Sequence, residues 1–352
     1  MRFWLRVSLV LAFAALAFIA SPAYACGCGG YIPRDGTAQV MQERVLLRWD
    51  GKTEDIIMSL GVLGQSKDAA VILPVPARAE LKLGDAKIFD ELEELTKPLV
   101  EEKRVPASLA LGAGAPPPGG AAVTVLERKK LGPFDVSNLA ASDTNALGEW
   151  LKANGYYAGF SPGLARALEP YAAQGWNFIA VRVQPGTATD TLKGNLDPLW
   201  VTFASDQLVY PMRASANAQN RQKVVLYVFA DHRVEKTKSF GGSQVTFANW
   251  VEPGMLDSNP ALKPLVTRKW FLTKFEDAVN PSEVNDDFVF NIAPKDGTYR
   301  AVRIVEVPDM GLAYLNVAEV ICITIGAPIL LLGLLGLVVV WVIRRSPKRG
   351  AT

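Results

Sequence analysis

The chain has very few of the side chains on which most zinc and redox sites are built. Its 352 residues include one histidine and three cysteines. A single imidazole excludes zinc sites made of two or three histidines, and three cysteines exclude a zinc ribbon or a disulfide-dense scaffold. The formal net charge is only +2 at pH 7. That small charge excludes the strongly basic surface expected of a nucleic-acid-binding protein.

The chain also has fewer charged residues than an ordinary soluble domain. They make up 20% of the sequence, against roughly 25% in soluble domains. The mean hydropathy is positive, at +0.15. This balance indicates membrane segments attached to a domain of ordinary composition.

The N-terminus has the pattern of a secretory signal peptide, predicted to cover residues 1–25. Two arginines precede an apolar run at 7–20, and Ala23 and Ala25 provide the small residues that signal peptidase requires. Cleavage there would leave Cys26 as the first mature residue. An uncleaved membrane helix is the alternative, but this run is shorter than the about 20 apolar residues that a span needs.

The C-terminus has an uncharged segment of a different kind. Residues 320–343 contain no charge and are followed by a short basic tail at 344–352. At about 1.5 Å per residue the segment is about 36 Å long, enough for a bilayer core of about 30 Å. We therefore predict a transmembrane helix over 319–343 rather than a buried core helix. The basic tail is expected in the cytoplasm and residues 26–318 outside the cell membrane.

The apparent basicity of the chain belongs to these terminal segments. The signal and the tail hold six of the 37 basic residues and none of the 35 acidic ones. The exported part is therefore mildly acidic, with a balance of −4. No nucleic-acid partner is expected for such a domain. The expected partners are the membrane, through the single span, and other proteins of the cell envelope.

The exported part is predicted to have an α+β fold with mainly antiparallel sheet and few helices. Pro74 and Pro76 indicate that one of its strands ends there or lies at a sheet edge. Alternating apolar residues and short apolar runs predict strands at 37–49, 56–62, 69–75, 122–127, 176–183, 199–203, 224–230, 244–250, 268–275 and 287–292.

Helical periodicity appears once before residue 100. The apolar residues of this amphipathic pattern are Ile88, Leu92, Leu95 and Leu99. The acidic residues between them, at 90, 91, 93 and 94, are expected to face water. Residues 105–122 follow and are rich in alanine, glycine and proline without any charge. We interpret them as a loop or linker, where a subdomain boundary would fall.

Two further helices are indicated by capping residues. One is predicted over 143–154, with Ser142 or Asp143 as its N-cap. The other begins at Ser161, which is followed by a proline in the first turn. Pro170 is expected to kink or split this helix, because proline has no backbone N–H to donate.

Candidates for catalysis are few. His232 is the one imidazole, so a Ser-His-acid triad would have to use it, with Asp231 as its neighbour. No Gly-x-Ser-x-Gly elbow supplies the serine, and His232 directly follows an apolar strand, where a structural histidine is common. Asp286 and Asp287 lack the ligand spacing of a calcium loop and predict a turn.

No metal site, phosphate loop or dinucleotide fingerprint is found, and no cofactor is expected. Six tryptophans lie outside the terminal segments. They are expected in the core rather than stacked on a glycan; they are Trp49, Trp150, Trp176, Trp200, Trp250 and Trp270.

Two cysteines would lie at the mature N-terminus, in an oxidising compartment. Cys26 and Cys28 flank Gly27, and a disulfide between them would be strained, reducible and open to a redox role. Two unpaired thiols, or a local structural pair, are the simpler interpretations. Lipidation of Cys26 would compete with the bridge.

Several segments occur in a characteristic order along the chain, namely CGCGG at 26–30 and those at 43–76, 89–95, 131–156, 168–183 and 226–234. Together they resemble a bacterial family known only as domain of unknown function 2330. The resemblance covers roughly residues 26–310, and it implies an exported domain, often followed by a membrane anchor. It implies no activity, substrate or site residue.

The absence of a convergent catalytic set, together with the predicted anchor, favours a non-enzymatic function. We expect a cell-surface interaction module or a structural module of the envelope. The alternatives are an envelope enzyme, either a hydrolase that uses Asp231 and His232 or a thiol-redox protein that uses Cys26 and Cys28. A subunit that assembles through its membrane helix is a third hypothesis.

Overall fold

The computed structural model describes residues 24–26, 29–33, 38–105, 127–141, 143–156, 161–185, 191–218, 220–238, 240, 242–308 and 332–338. Strands dominate these residues, and they form in chain order β1 (Tyr24–Cys26), β2 (Gly29–Pro33), β3 (Gln39–Trp49), β4 (Thr53–Ser66), β5 (Ala69–Val75), β6 (Glu80–Leu83), β7 (Leu99–Val105), β8 (Glu127–Leu131), β9 (Phe134–Ala140), β10 (Asn177–Val183), β11 (Leu192–Asn195), β12 (Leu199–Ala204), β13 (Val209–Tyr210), β14 (Gln222–Ala230), β15 (Val234–Lys236), β16 (Gln244–Val251), β17 (Trp270–Val279), β18 (Phe288–Ile292), β19 (Tyr299–Arg300) and β20 (Val302–Pro308). The α-helices among them are α1 (Lys87–Thr96), α2 (Thr144–Ala153) and α3 (Pro162–Ala173), and short 3-10 helices lie at Arg213–Asn217, Pro253–Met255 and Pro281–Glu283. The predicted α+β composition is confirmed.

The chain divides into two compact units. The first contains residues 1–99 and 113–302, and the second contains residues 100–112 and 303–352. In the second unit the described residues are most of β7 and β20, which pair as a two-stranded sheet, and a helical stretch at 332–338 with exposed leucines. The first unit holds the layered sheets described below.

The largest sheet of the first unit is built around the hairpin of β3 and β4. Its strand order is β19-β16-β17-β14-β3-β4-β12-β6, and β11 pairs with the far end of β4. β14 runs parallel to β3, so the sheet is mixed, whereas the other paired strands are antiparallel. The hairpin turns at Gly51, whose φ of 91° favours glycine. The Asp50 carboxylate stabilises this turn by accepting hydrogen bonds from the backbone N–H groups of Lys52 and Thr53.

A second sheet packs face to face on the first. Its strand order is β1-β2-β5-β10-β9-β8, and its paired strands are antiparallel. Val45 and Ile56 of the first sheet share one buried cluster with Val71 and Ile179 of the second. Burying these two apolar faces against each other removes them from water, which is the main stabilising contribution of a β-sandwich.

Helices cover both outer faces of the sandwich. On the outer face of the second sheet, Leu147 of α2 and Leu168 of α3 pack against Phe178. On the outer face of the first sheet, Phe89 of α1 and Leu262 share a cluster with residues of β3, β14 and β17. Both sheets are therefore buried on two sides, which explains why β5 and β14 are almost continuously apolar.

Most predicted strands are found, with shifted ends. Of the two alternatives that Pro74 and Pro76 indicated, the first is confirmed, because β5 ends at Val75 and lies between β2 and β10 rather than at a sheet edge. β5 precedes residues 105–122 and β10 follows them, so both sides of the predicted linker contribute to one sheet. Residues 106–126 themselves, including the predicted strand at 122–127 except Glu127, lie outside the described residues.

The helices differ from the predictions in two places. α1 ends at Thr96, whereas Leu99 belongs to β7 and has 52% of its surface exposed. The helical spacing of apolar residues therefore continues beyond the end of the helix. α3 is not split, because it continues through Pro170 to Ala173, and the predicted kink stays a prediction. Pro170 has no N–H to donate to the Arg166 carbonyl, so the helix lacks this one hydrogen bond and continues beyond it. The N-cap of α2 is Asp143, whose carboxylate accepts from the N–H groups of Asn145 and Ala146.

The predicted signal and anchor fall largely outside the described residues. Residues 1–23 are not described, and of the predicted span only 332–338 are, as helix. Within the described part of the chain, no helix has the length and apolar character needed to cross a membrane.

Candidate functional site

A cleft opens between the two sheets where β10 ends and β11 begins. Its volume is about 500 Å³. Polar side chains line its mouth, namely Gln65, Gln184, Thr191, Lys193, Asn195 and Asp197. Phe134, Val183, Leu192 and Leu196 form its apolar wall. The cleft is therefore amphipathic, with a wet rim and a dry base.

The base of the cleft continues inward as a narrow apolar crevice of about 20 Å³. Phe134, Val183, Leu196 and Asp197 line both spaces, so the crevice directly adjoins the cleft. The crevice then passes between the sheets, where it is lined by Met58, Leu60, Val71, Val181 and Leu199.

The length of β4 explains why the cleft forms here. The first half of β4 pairs with β12 and its second half pairs with β11. The segment that connects β11 to β12 therefore runs alongside the middle of β4. Leu196 lies in that segment and is held by two hydrogen bonds. Its N–H donates to the Leu60 carbonyl over 2.8 Å, and its carbonyl accepts from the Ser59 hydroxyl over 2.8 Å. These two hydrogen bonds to the backbone of Leu196 fix the position of the cleft wall.

The cleft mouth is close to electrically neutral. Lys193 and Asp197 are the charged side chains among its described lining residues, one of each sign. The remaining polar groups are three carboxamides and one hydroxyl, each able to donate and to accept hydrogen bonds. Such a mouth suits an uncharged ligand rich in hydroxyl or amide groups.

The two residues named for the alternative hydrolase, Asp231 and His232, have separate ion-pair partners. His232 is exposed, and its Nδ1 lies 2.8 Å from the Asp296 carboxylate. Asp231 instead forms an ion pair with Arg268 at 2.5 Å. The hydrogen bond from His232 holds the pKa of Asp296 below its ordinary value. Neither Asp231 nor His232 lines the cleft.

The acidic pair predicted as a turn is the centre of an ion-pair network. Asp286 pairs with Arg213 and Lys238, while buried Asp287 accepts hydrogen bonds from the Tyr171 hydroxyl and from the Met212 N–H at 2.7 Å. Burial and the nearby Asp287 charge raise the pKa of Tyr171. Within the described parts of the chain, no group of three or more His, Cys, Asp or Glu residues is placed to hold a metal ion.

Two acidic residues of α1 have hydrogen-bond partners in distant parts of the chain that the prediction did not include. The Glu91 carboxylate accepts from the N–H groups of Ala261 and Leu262. Glu93 accepts from the Tyr227 hydroxyl at 2.6 Å and from the Lys274 ammonium at 3.1 Å. Partial burial acts to raise the pKa of Glu93, but these hydrogen bonds outweigh it and lower the pKa. The helix spacing could not reveal these contacts, because the partners are more than 130 residues away.

The two N-terminal cysteines remain untested as a disulfide. Cys26 lies in β1 opposite Gly29, whereas Cys28 is outside the described residues. β1 also contains Tyr24 and Ala25, which the predicted cleavage would remove. The proposed bridge, like the lipidation of Cys26, therefore stays a prediction.

Sequence patterns gave no signal for the cleft. Its residues come from β4, β9, β10 and β11 and from the segments that adjoin β9, β10 and β11, and none of them belongs to a recognisable motif. The predicted tryptophans do not line it; five of them pack against the buried clusters, and Trp250 contacts Phe271. The aromatic residue of the cleft is Phe134, at the start of β9, a strand that was not predicted.

The fold and the cleft define a sandwich of two sheets that is covered by helices and has an open cleft beside the end of β10. The chain belongs to the family described as "Uncharacterized protein conserved in bacteria (DUF2330)", whose model matches residues 22–291. No curated protein matches the chain. Among solved structures, that of baculovirus P35 is similar over 72% of this chain and 97% of its own, with 11% identity and a TM-score of 0.35.

Proposed function

We propose that this protein is an exported binding module, anchored in the cell membrane, that holds a small uncharged ligand in the cleft between its sheets. The cleft itself is the observation that carries the proposal. Its volume of about 500 Å³ lies within the range of about 300–1,000 Å³ that is usual for ligand sites. A non-enzymatic role fits its lining, because four of its six polar side chains are carboxamides or a hydroxyl, which are poor acids and bases near neutral pH, and Asp197 is the one carboxylate among the described lining residues.

The export and the anchor are supported by the sequence. Residues 1–25 have the charge, apolar run and small residues of a signal peptide. Residues 319–343 contain a run of uncharged residues of sufficient length, followed by a basic tail. The binding domain would then face the outside of the membrane, and partners in the envelope would approach it there.

Methyl NMR of the full chain in sugar-free detergent tests whether the cleft binds ligands. The probe is isobutyramide, which combines a compact apolar group with a carboxamide. We expect it to shift the methyl resonances of Val71, Val183 and Leu199, because these side chains line the crevice. The substitution Leu196→Trp should abolish the shifts, since the larger ring would fill the base of the cleft.

The matched control is Leu63→Trp. Leu63 lies on β4 with 46% of its surface exposed, and it does not line the cleft. This variant should respond to isobutyramide as the unchanged chain does. Shifts that are spread over the protein, or that persist in Leu196→Trp, would contradict a binding site at this position.

A further inference from the structure

The size of the crevice limits what a ligand can insert between the sheets. A cavity needs about 10–15 Å³ on the same measure to hold one water-sized group, and this crevice offers about 20 Å³. It therefore has room for a single methyl-sized group and not for an acyl chain. Its lining is apolar apart from Asp197 at the entrance, so a methyl group is favoured there over water.

The mouth imposes a second condition on the ligand. Gln65, Gln184 and Asn195 contribute carboxamides, and the Thr191 hydroxyl, which donates to the Gln65 carboxamide oxygen over 3.4 Å, lies among them. Sugar hydroxyl groups donate and accept hydrogen bonds at the same time, as these side chains do. The Asp197 carboxylate can accept from two hydroxyls. The mouth is much wider than the crevice, so the bulk of the ligand is polar and only a small part of it is apolar.

We infer that the ligand is a sugar that carries a 2-acetamido group. The acetyl methyl enters the crevice beside Phe134 and Val183, while the ring hydroxyls contact the carboxamides of the mouth. This inference rests on the proposed function, because it names the ligand class of the same cleft. No covalent step is involved.

The test compares two disaccharides that share the β-1,4 linkage. N,N′-diacetylchitobiose carries the acetamido groups, and cellobiose has hydroxyls in their place. Titrated into the full chain in sugar-free detergent, diacetylchitobiose should bind at least tenfold more tightly than cellobiose. Leu196→Trp should abolish this binding, Asn195→Ala should weaken it several-fold, and Leu63→Trp should leave it unchanged.

The outcomes separate this inference from the proposed function. Equal affinity for the two disaccharides, or no binding of either, would overturn the inference that the ligand is an acetamido sugar. If isobutyramide still binds in the cleft, the proposed function as a binding module is retained. Failure of isobutyramide as well overturns both. A second arm measures co-sedimentation of the full chain with peptidoglycan sacculi. If the disaccharide binds, co-sedimentation with sacculi would identify the natural ligand as part of a wall polymer. If the chain does not co-sediment, the natural ligand is a free saccharide.

Discussion

Asp55 illustrates how a buried charge is accommodated in this protein. The residue is 3% exposed and lies on the face of β4 that is covered by α1. Its carboxylate accepts hydrogen bonds from Arg48 Nε at 2.8 Å, Trp200 Nε1 at 2.7 Å and Thr202 Oγ1 at 2.5 Å. Full satisfaction of its oxygens offsets the cost of removing the charge from water.

Replacing this carboxylate should therefore destabilise the fold. In Asp55→Asn the carboxamide carries no charge, so Arg48 loses its ionic partner. The NH₂ group of the asparagine would also face hydrogen-bond donors, with which it cannot pair. We expect the free energy of unfolding to fall by about 2–4 kcal/mol, somewhat less than the about 3–5 kcal/mol that is usual for a fully buried pair, because Arg48 is only partly buried. Urea denaturation of the full chain measures the difference.

The matched control is Glu94→Gln on the exposed face of α1. Glu94 pairs with Lys97, and both side chains are more than half exposed. Water screens such a pair, so this substitution should change stability by no more than about 0.5 kcal/mol. Equal losses in the free energy of unfolding for the two variants would show that burial does not determine how much an ion pair contributes to stability.

Lys236 is a buried cation in the sandwich core. Its side chain is 3% exposed, its Nζ lies 2.7 and 2.6 Å from the two Asp277 oxygens, and it sits over the Phe288 ring at 3.7 Å. Burial lowers the pKa of the Lys236 ammonium to about 8, although Asp277 acts to raise it. Folding therefore favours the neutral amine relative to the unfolded chain.

This shift predicts a pH dependence of stability with a definite sign. The ordinary pKa of lysine is 10.5, so between about pH 8 and 10.5 the unfolded chain binds a proton that the folded chain has released. Stability should rise with pH in that window, by at most about 1.4 kcal/mol per pH unit from this group. Urea denaturation at pH 7.5 and pH 9.5 measures the slope.

The control replaces both partners, in Lys236→Met with Asp277→Leu. This double variant leaves no unpaired charge in the core and should lose the part of the slope that Lys236 contributes. A slope identical to that of the unchanged chain would assign the pH dependence to other groups.

The helices were well predicted from their ends, because capping is a local interaction. Asp143 and Ser161 both act as N-caps, and their side chains satisfy backbone N–H groups within three residues. Sequence spacing is sufficient to detect such contacts. The C-terminal limit of α1 was predicted less well, because β7 competes for Leu99, whose N–H donates to the Ala301 carbonyl far along the chain.

Removing a cap should weaken the layer that covers the second sheet. Asp143→Ala leaves two N–H groups of α2 without their acceptor, so we expect a loss of about 1 kcal/mol in the free energy of unfolding. Asn145→Ala provides the comparison, because Asn145 is exposed in the first turn and contributes its backbone N–H to the cap. Its effect should stay within about 0.5 kcal/mol. Thermal or urea denaturation distinguishes the two, and similar losses would refute the role of the Asp143 carboxylate.

Strands were predicted where they are apolar and missed where they are polar or short. β5 and β14 were evident as apolar runs, whereas β9 has the sequence FDVSNLA and was not predicted. Ser137 and Asn138 of β9 are nevertheless buried. β9 owes its strand conformation to pairing with β10 and β8, which a local pattern does not contain.

At the scale of the whole molecule, the proposed topology places the two ends of the mature chain on opposite sides of the membrane. Protease added to spheroplasts should digest the sandwich and spare the tail at 344–352, because the bilayer protects it. An antibody against the tail peptide detects the remaining fragment. Lysed spheroplasts are the control and should lose the tail as well. Digestion of the tail in intact spheroplasts, with the sandwich protected, would reverse the orientation.

The sequence by itself determined the composition of the fold, the position of most strands and helix starts, and the predicted export and anchor segments. These features depend on neighbouring residues, through apolar periodicity, capping and uninterrupted apolar length. Only the tertiary structure decided the packing of the two sheets, the partners of Glu91, Glu93 and Asp287, and the cleft. Those features join residues that are distant in the chain, and side chains of opposite sheets meet only after the strands have paired.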